Sequence, residues 1–239
     1  MKPNKAMENF HKFEGIDYAN NFAKKINSMH RLVEKHLNEI IDSDHLNIID
    51  IGGGPGIGAS IIDRFEKNVS VINIEPSNNI EERPDLKWVE YVPLNLSFKD
   101  ALDYQMPWKA DLFLMISAAH EIALSNGKSP FENKELFYAD LKDFVKKNSN
   151  PDALLAIGFP NYEIGVTEEE IQKQREYVDT VIGHSHPPEE FFTIKEFSIA
   201  FSEEPIRFVQ TPMVLSGQSE QETKLMANFA VFRVSDIVE

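Results

Sequence analysis

Ile48-Ile-Asp-Ile-Gly-Gly-Gly-Pro-Gly-Ile-Gly58 is the stretch of sequence that decides the fold. A short apolar run with one acidic residue, Asp50, is followed by glycines at every second position: Gly52, Gly54, Gly56 and Gly58. This pattern predicts a buried parallel strand that turns sharply into a helix. Because glycine has no Cβ atom, a ligand can approach the main chain of such a turn closely. We therefore expect a ligand to lie against this backbone.

The composition limits the classes of function. The 239 residues are 42% hydrophobic, which suffices for one sizeable α/β domain. The net charge of −15 disfavours nucleic acid as a partner, because an acidic surface repels phosphate groups. Cysteine is absent, which excludes disulfides and thiol catalysis. No apolar run reaches the length of a membrane span, so we expect no membrane partner. We also expect a cytoplasmic location, and a monomer or homodimer.

Hydrophobic periodicity predicts an alternating α/β order. Residues 16–42 have apolar positions at helical spacing and precede every strand. Apolar runs predict five strands: Leu46–Ile51, Val69–Ile74, Leu86–Val92, Asp111–Ile116 and Ala153–Phe159. Helices are predicted at Ile57–Phe65 and Asn133–Lys147. Strands separated by helices indicate right-handed βαβ units and a mostly parallel, doubly wound sheet.

The last part of the chain departs from this alternation. Ile206–Leu215 and Lys224–Val234 are predicted to be two long strands joined by a hairpin-like loop. The preceding segment is polar and acidic, with a predicted helix at Thr193–Phe201. We expect a single domain over 1–239, divided into an N-terminal helical lid (1–44), a ligand-binding core (45–160), a helical cap that forms the acceptor region (161–204) and a C-terminal strand pair (205–239).

Two cofactor classes compete for the glycine-rich turn. Gly54-Pro-Gly-Ile-Gly-Ala59 satisfies the dinucleotide pattern Gly-x-Gly-x-x-Gly/Ala, so an NAD-dependent oxidoreductase is one hypothesis. In a dinucleotide site, however, the helix after the turn receives a pyrophosphate, and an acid just before the glycines would repel it. Asp50 instead suits a ligand that carries an ammonium or sulfonium group.

The segment resembles the first motif of the class I S-adenosylmethionine-dependent methyltransferases, an acid-x-Gly-x-Gly-x-Gly sequence at the end of the first strand. The resemblance implies a Rossmann-like fold with seven strands. It also implies that Asp50 and the backbone of Gly52, Gly53 and Gly54 hold the methionine moiety and ribose of the cofactor. Glu75, at the end of the second predicted strand, stands where the family has an acid that accepts hydrogen bonds from both ribose hydroxyls.

Further cofactor contacts follow from the same resemblance. Asn95 stands where Asp is commoner in the motif beside adenine, and its side-chain carbonyl can still accept a hydrogen bond there. The remaining predicted contacts come from the ends of strands two to four and from the N-terminal lid: Pro76, Leu96, Ile116, Ser117 and Tyr18. The terminal hairpin matches the antiparallel seventh strand that the family inserts beside the sixth.

Methyl transfer also needs an acceptor site. His120 and Glu121, just past the fourth predicted strand, are the best-placed candidates for catalysis, with His120 as general base and Glu121 to orient it or take the proton. His184 and His186 can bind a metal by their spacing, but the sequence offers no compelling third ligand. We expect a solvated loop there, with a loop that lines the acceptor pocket as the alternative, and no metal. The aromatic, acidic cap suits a small amine or polar aromatic acceptor.

The sequence therefore predicts an S-adenosylmethionine-dependent enzyme that methylates oxygen or nitrogen of a small molecule. Besides the NAD-dependent oxidoreductase, a protein that binds S-adenosylmethionine without catalysis is a third hypothesis.

Overall fold

The computed structural model of the protein describes residues 27–76, 85–183 and 185–237. Seven strands form one sheet: β1 Asn47–Ile51, β2 Val69–Ile74, β3 Val89–Leu94, β4 Ala110–Ile116, β5 Ser149–Tyr162, β6 Arg207–Pro212 and β7 Leu225–Arg233. The helices of the described residues are α1 Asn27–Ile40, α2 Ile57–Asp63, α3 Phe98–Asp103, α4 Ala119–Leu124, α5 Pro130–Asn148, α6 Glu168–Ile182, α7 Ile194–Phe201 and α8 Val234–Ile237, with a 3₁₀ turn at Pro188–Glu190.

The strand order in the sheet is β3-β2-β1-β4-β5-β7-β6. Strands β1 to β5 pair in parallel with one another, whereas β7 pairs antiparallel with both β5 and β6. The predicted doubly wound, mostly parallel sheet of seven strands is therefore confirmed. The carboxyl ends of β1, β2, β4 and β5 meet at one edge, where ligands bind in such sheets.

Helices cover both faces of the sheet. Helices α1, α2 and α6 contribute to one apolar cluster, and α3, α4, α5, α7 and α8 contribute to the other. Helix α1 buries Met29, Val33 and Leu37 completely, at a spacing of four residues that forms one apolar stripe. The helix predicted within 16–42 is thus confirmed over its described part, and residues 16–26 lie outside the described residues.

Several element boundaries differ from the sequence-based prediction. Strand β3 begins three residues later and ends two residues later than predicted, and β5 extends beyond its predicted run at both ends. Helix α5 begins at Pro130 because Ser129 and Glu132 form a capping box there. Helix α6 was not predicted, although Thr167 and Glu170 form the same kind of cap. None of the helices in the described part of the chain is long and apolar enough for a membrane span.

Candidate active site

The glycine-rich loop lies between β1 and α2 at the ligand-binding edge of the sheet. Gly52, Gly54 and Gly56 have φ angles of 70°, 54° and 89°, which residues with a Cβ atom rarely adopt. The Gly52 N–H donates to the carbonyl of Ile74 at the end of β2. The repeated glycines are thus required by the backbone conformation of the turn.

Asp50 lies beneath this loop and is completely buried. Within the described residues, neither of its carboxylate oxygens has a hydrogen-bond partner. Burial, and secondarily the negative charge of Glu75, raise the pKa of Asp50 to about 7. A buried carboxyl group without a partner is unfavourable, so this site can gain free energy from a ligand that brings a positive charge or hydrogen-bond donors.

Close approach of the main chain to Asp50 explains two further glycines. A Cβ atom at Gly53 would lie 2.3 Å from Asp50 Oδ2 and 2.5 Å from Asn73 Oδ1. At Gly58, a Cβ atom would lie 2.2 Å from Asp50 Oδ2 and 2.8 Å from Leu114 Cδ2. The loop therefore packs directly over the carboxylate.

Glu75 and Asn73 connect the end of β2 to the same loop. Glu75 is only 6% exposed, and its Oε2 accepts a hydrogen bond from the Gly54 N–H at 3.0 Å. Asn73 is fully buried, and its Nδ2 donates to the Gly54 carbonyl at 2.8 Å and to the Tyr91 hydroxyl at 2.7 Å. Glu75 is thus buried against the glycine loop. Asn73 was not predicted as a site residue.

A pocket opens beside the loop. Its lining includes five of the predicted cofactor residues: Asp50, Gly52, Gly53, Ile116 and Ser117. Ser117 has a φ angle of 55°, its N–H donates to the Gly158 carbonyl at 2.7 Å, and its buried Oγ has no partner in the described part of the chain. Ser117 and Asp50, two residues with buried polar groups, therefore line the same pocket.

The pocket is completed by residues that sequence reasoning did not select: His30, Ile57 and Gly58. His30 is adjacent to Met29, which belongs to the buried apolar stripe of α1. The helical spacing of that stripe was the sequence signal that could have indicated the position of His30. Burial, with a smaller effect of the Arg64 charge, lowers the pKa of His30 to about 4. Its imidazole is neutral at pH 7 and can donate or accept one hydrogen bond at the pocket.

The other predicted cofactor residues lie outside this pocket. Pro76 and Asn95 are exposed directly after β2 and β3, and Leu96 packs against the apolar cluster beside them. Gly54 is held by Asn73 and Glu75 as described above. Tyr18 lies outside the described residues.

A second group of polar side chains lies just past β4. His120 and Glu121 belong to the first turn of α4, and His186 from the cap joins them. His186 Nε2 is 3.0 Å from Glu121 Oε1, and His120 Nε2 is 3.7 Å from the same oxygen. The two imidazole rings stand edge to face with their centroids 4.8 Å apart. Sequence reasoning did not place His186 beside the predicted catalytic pair.

His186 is buried, with 7% of its surface exposed, so the expectation of a solvated loop is wrong at this residue. The reason is that the Phe191 ring packs against both histidines. Its centroid lies 5.3 Å from the centroid of the His120 ring and 5.7 Å from that of the His186 ring. Glu190 Oε2 lies 2.9 Å from His186 Nδ1. Burial alone would lower the pKa of His186, but its hydrogen bonds to Glu121 and Glu190 and their negative charges outweigh burial and raise it to about 9.

The aromatic residues of the cap divide into two sets. Tyr162 stands against Phe191 at 5.7 Å, and its hydroxyl donates to the His186 carbonyl, so both rings adjoin the histidines. Phe192 is 1% exposed and packs in the core against Phe137. Tyr177 donates a hydrogen bond to the Ser216 carbonyl at 2.6 Å. Only the first set lies beside the histidine group.

The pocket beside the glycine loop and the histidine group are joined by a short piece of main chain. Ser117 lines the pocket, and His120 follows three residues later. A Cβ atom at Gly52 would lie 2.5 Å from the Ala118 Cβ, so the glycine loop and the start of α4 are in close contact. The two sites are therefore neighbours.

No protein-family model matches the sequence. A search of curated proteins likewise finds no similar sequence.

The fold, in contrast, matches solved methyltransferases. The N-methyltransferase NodS from Bradyrhizobium japonicum WM9, in complex with S-adenosylhomocysteine, aligns over 94% of this chain and 97% of its own, with a TM-score of 0.53 and 13% identity. A methyltransferase from Thiobacillus denitrificans, in complex with the same compound, aligns over 83% and 89% with a TM-score of 0.53 and 13% identity.

A third similar structure is the CurJ carbon methyltransferase. It aligns over 85% of this chain and 54% of its own, with a TM-score of 0.53 and 16% identity. The predicted resemblance is confirmed at the level of architecture. The chain has the Rossmann-like fold of the class I S-adenosylmethionine-dependent methyltransferases.

Proposed function

We propose that the protein is an S-adenosylmethionine-dependent methyltransferase that transfers a methyl group to oxygen or nitrogen of a small-molecule acceptor. The observation that carries this proposal is the buried Asp50 carboxyl group, which lines the pocket beside the glycine loop without a partner among the described residues. S-adenosylmethionine carries a sulfonium and an ammonium group, and either would stabilise an ionised carboxylate there. Similar structures in complex with S-adenosylhomocysteine support the same cofactor.

The proposed cofactor site combines the pocket with the residues around it. Asp50 and the backbone of Gly52, Gly53 and Gly54 would hold the methionine moiety and ribose. Glu75 would accept the ribose hydroxyls. Four further positions complete the site at its two ends, with Asn95 and Leu96 beside adenine and Ile116 and Ser117 beside the methionine part. Pro76 and Tyr18 remain predicted contacts.

On the acceptor side, His120 and Glu121 are the proposed catalytic residues. Methyl transfer is an in-line displacement, so the acceptor must lie beside the sulfonium, and a hydroxyl or ammonium acceptor must also lose a proton. Both residues follow Ser117 closely and lie at the ligand-binding edge of the sheet. Phe191 and Tyr162 would border a small acceptor. The net charge of −15 supports a small molecule over a nucleic acid.

Two other functions remain as hypotheses. An NAD-dependent oxidoreductase could use the same glycine loop, but ionised Asp50 and Glu75 would both lie close to the pyrophosphate of NAD. A protein that binds S-adenosylmethionine without catalysis would show binding but no transfer. Because CurJ is a carbon methyltransferase, transfer to carbon is the other outcome that an acceptor screen must allow.

Calorimetric binding of S-adenosylhomocysteine and of NAD tests the cofactor. We expect S-adenosylhomocysteine to bind and NAD to show no binding. Glu75→Ala should weaken binding by about 1–3 kcal/mol, because hydrogen bonds to a charged acceptor are lost. Glu203→Gln, at an exposed position, is the control and should leave affinity unchanged. Unaltered affinity in Glu75→Ala would contradict the ribose assignment, and preferential binding of NAD would contradict the methyltransferase itself.

A further inference from the structure

The group at the start of α4 contains the residue types of a metal site. His120, Glu121 and His186 each offer one ligand atom, and these three atoms all lie within 4.8 Å of one another. They come from two parts of the chain that are 65 residues apart, and both histidines are buried. The sequence-based expectation of no metal concerned the pair His184 and His186, for which the sequence offers no compelling third ligand. The structure instead brings His186 together with His120 and Glu121, and His184 lies outside the described residues.

We propose that His120, Glu121 and His186 bind one divalent transition-metal ion of the zinc class. Bonds of about 2.0–2.1 Å in tetrahedral geometry place neighbouring ligand atoms about 3.3 Å apart. The separations of 3.0 Å and 3.7 Å from Glu121 Oε1 to the two Nε2 atoms bracket this value. The widest of the three separations is at most 4.8 Å, so tetrahedral binding requires it to shorten by up to about 1.5 Å.

Glu190 is placed as the outer partner that metal-bound histidines usually have. Its Oε2 lies 2.9 Å from His186 Nδ1, while His186 Nε2 points to Glu121. A carboxylate on one ring nitrogen fixes the tautomer and orientation that present the other nitrogen to a metal. Glu190 is therefore a positioning residue in this proposal.

The charge and ligand chemistry favour a transition metal. Glu121 and Glu190 bring two negative charges to a partly buried group, with side chains 19% and 23% exposed. A divalent ion would displace the proton that His186 holds between them and would supply more positive charge than that proton does. Two imidazoles and one carboxylate suit zinc and its neighbours, whereas magnesium and calcium prefer oxygen ligands. Three protein ligands leave a coordination position for water or for a substrate atom.

The metal would extend the proposed function. This extension rests on the proposed function. The ion would bind the oxygen or nitrogen atom of the acceptor, and His120 and Glu121 would act as metal ligands in place of the proton-transfer roles proposed above. Metal binding itself does not depend on methyl transfer, so its test needs neither cofactor nor acceptor.

Chelator-treated full-length protein should be titrated with Zn²⁺ by calorimetry and with Co²⁺ by visible absorption. We expect one ion per chain, and Co²⁺ bands typical of bound nitrogen ligands. Glu121→Gln and His186→Asn should each weaken Zn²⁺ binding by at least about ten-fold, and Glu190→Gln by about ten- to one-hundred-fold. Thermal unfolding of each variant without metal reports whether it is folded.

Matched controls are Glu189→Gln, an exposed neighbour of Glu190, and His45→Asn on the surface. Both should bind Zn²⁺ as the unmodified protein does. The proposal is overturned if the unmodified protein binds no ion, or if folded Glu121→Gln and His186→Asn bind it with unchanged affinity. Binding of S-adenosylhomocysteine that persists in these variants would leave the proposed methyl-donor site intact and separate the two conclusions.

Discussion

Gly53→Ala is expected to lower the affinity for S-adenosylhomocysteine by at least about ten-fold, or 1.4 kcal/mol. The added Cβ atom would lie 2.3 Å from Asp50 Oδ2 and 2.5 Å from Asn73 Oδ1. Neither side chain can move away easily, since both are completely buried. The loop must therefore lift from β1, and its backbone would lose the position in which it meets the ligand.

The same substitution should destabilise the protein without ligand. Overpacking of a buried site costs about 1–3 kcal/mol, which corresponds to a decrease of about 3–10 °C in the midpoint of thermal unfolding. Gly165→Ala is a suitable control, because Gly165 has a φ angle of 85° but has nothing within 4 Å of a built Cβ atom. It should keep full affinity despite its backbone strain. Wild-type affinity in Gly53→Ala would show that the loop does not contact the ligand as proposed.

Asp50→Asn is expected to stabilise the ligand-free protein at pH 8 by about 2–4 kcal/mol. Burial first, and the Glu75 charge second, raise the pKa of Asp50 from 3.8 to about 7 in the folded protein. The folded state thus holds this proton more tightly than the unfolded state does. The contribution of Asp50 to stability is fully present below about pH 4 and is lost as the pH rises to about 7. Asparagine has no charge to bury, so it avoids this loss.

Denaturant unfolding of both proteins between pH 4 and pH 8 checks this prediction. The unfolding free energy of Asp50→Asn minus that of the unmodified protein should grow across that range. The contributions of the other titrating groups cancel in this difference, because both proteins contain them. Parallel curves for the two proteins would contradict the raised pKa. Binding should show the opposite effect: if the cofactor stabilises ionised Asp50, calorimetry in two buffers at pH 6.5 should detect proton release on binding, and Asp50→Asn should abolish it.

The sequence predicts the structure around the glycine-rich loop better than the structure around the histidine group. The glycines at alternate positions and the apolar runs are local patterns, and they fix the loop, the strands and the approximate place of Asp50 and Glu75. The burial of Asp50 belongs to the same local pattern, because Gly53 and Gly58 of the motif leave room for its carboxylate.

The histidine group shows why contacts between distant parts of the chain were not predictable from the sequence. His186 reaches Glu121 across 65 residues, and its burial depends on Phe191 and on the course of the segment after α6. No spacing in the sequence encodes this contact. Helix α6, by contrast, carried a readable signal in Thr167 and Glu170, which sequence reasoning overlooked amid the acidic composition of the cap.

The reversed direction of β7 has a consequence for how this protein can diverge. Because β6 and β7 form an antiparallel pair, the connection 213–224 returns to the edge where β5 ends, with Leu225 opposite Tyr162. There it supports the cap: the Lys224 N–H donates to Gln174 Oε1, and Gln218 pairs with Gln174. The glycine-rich loop belongs to the first half of the chain, whereas the connection 213–224 belongs to the second. Under the proposed function, substitutions in this connection would change the choice of acceptor while the glycine-rich loop stays the same.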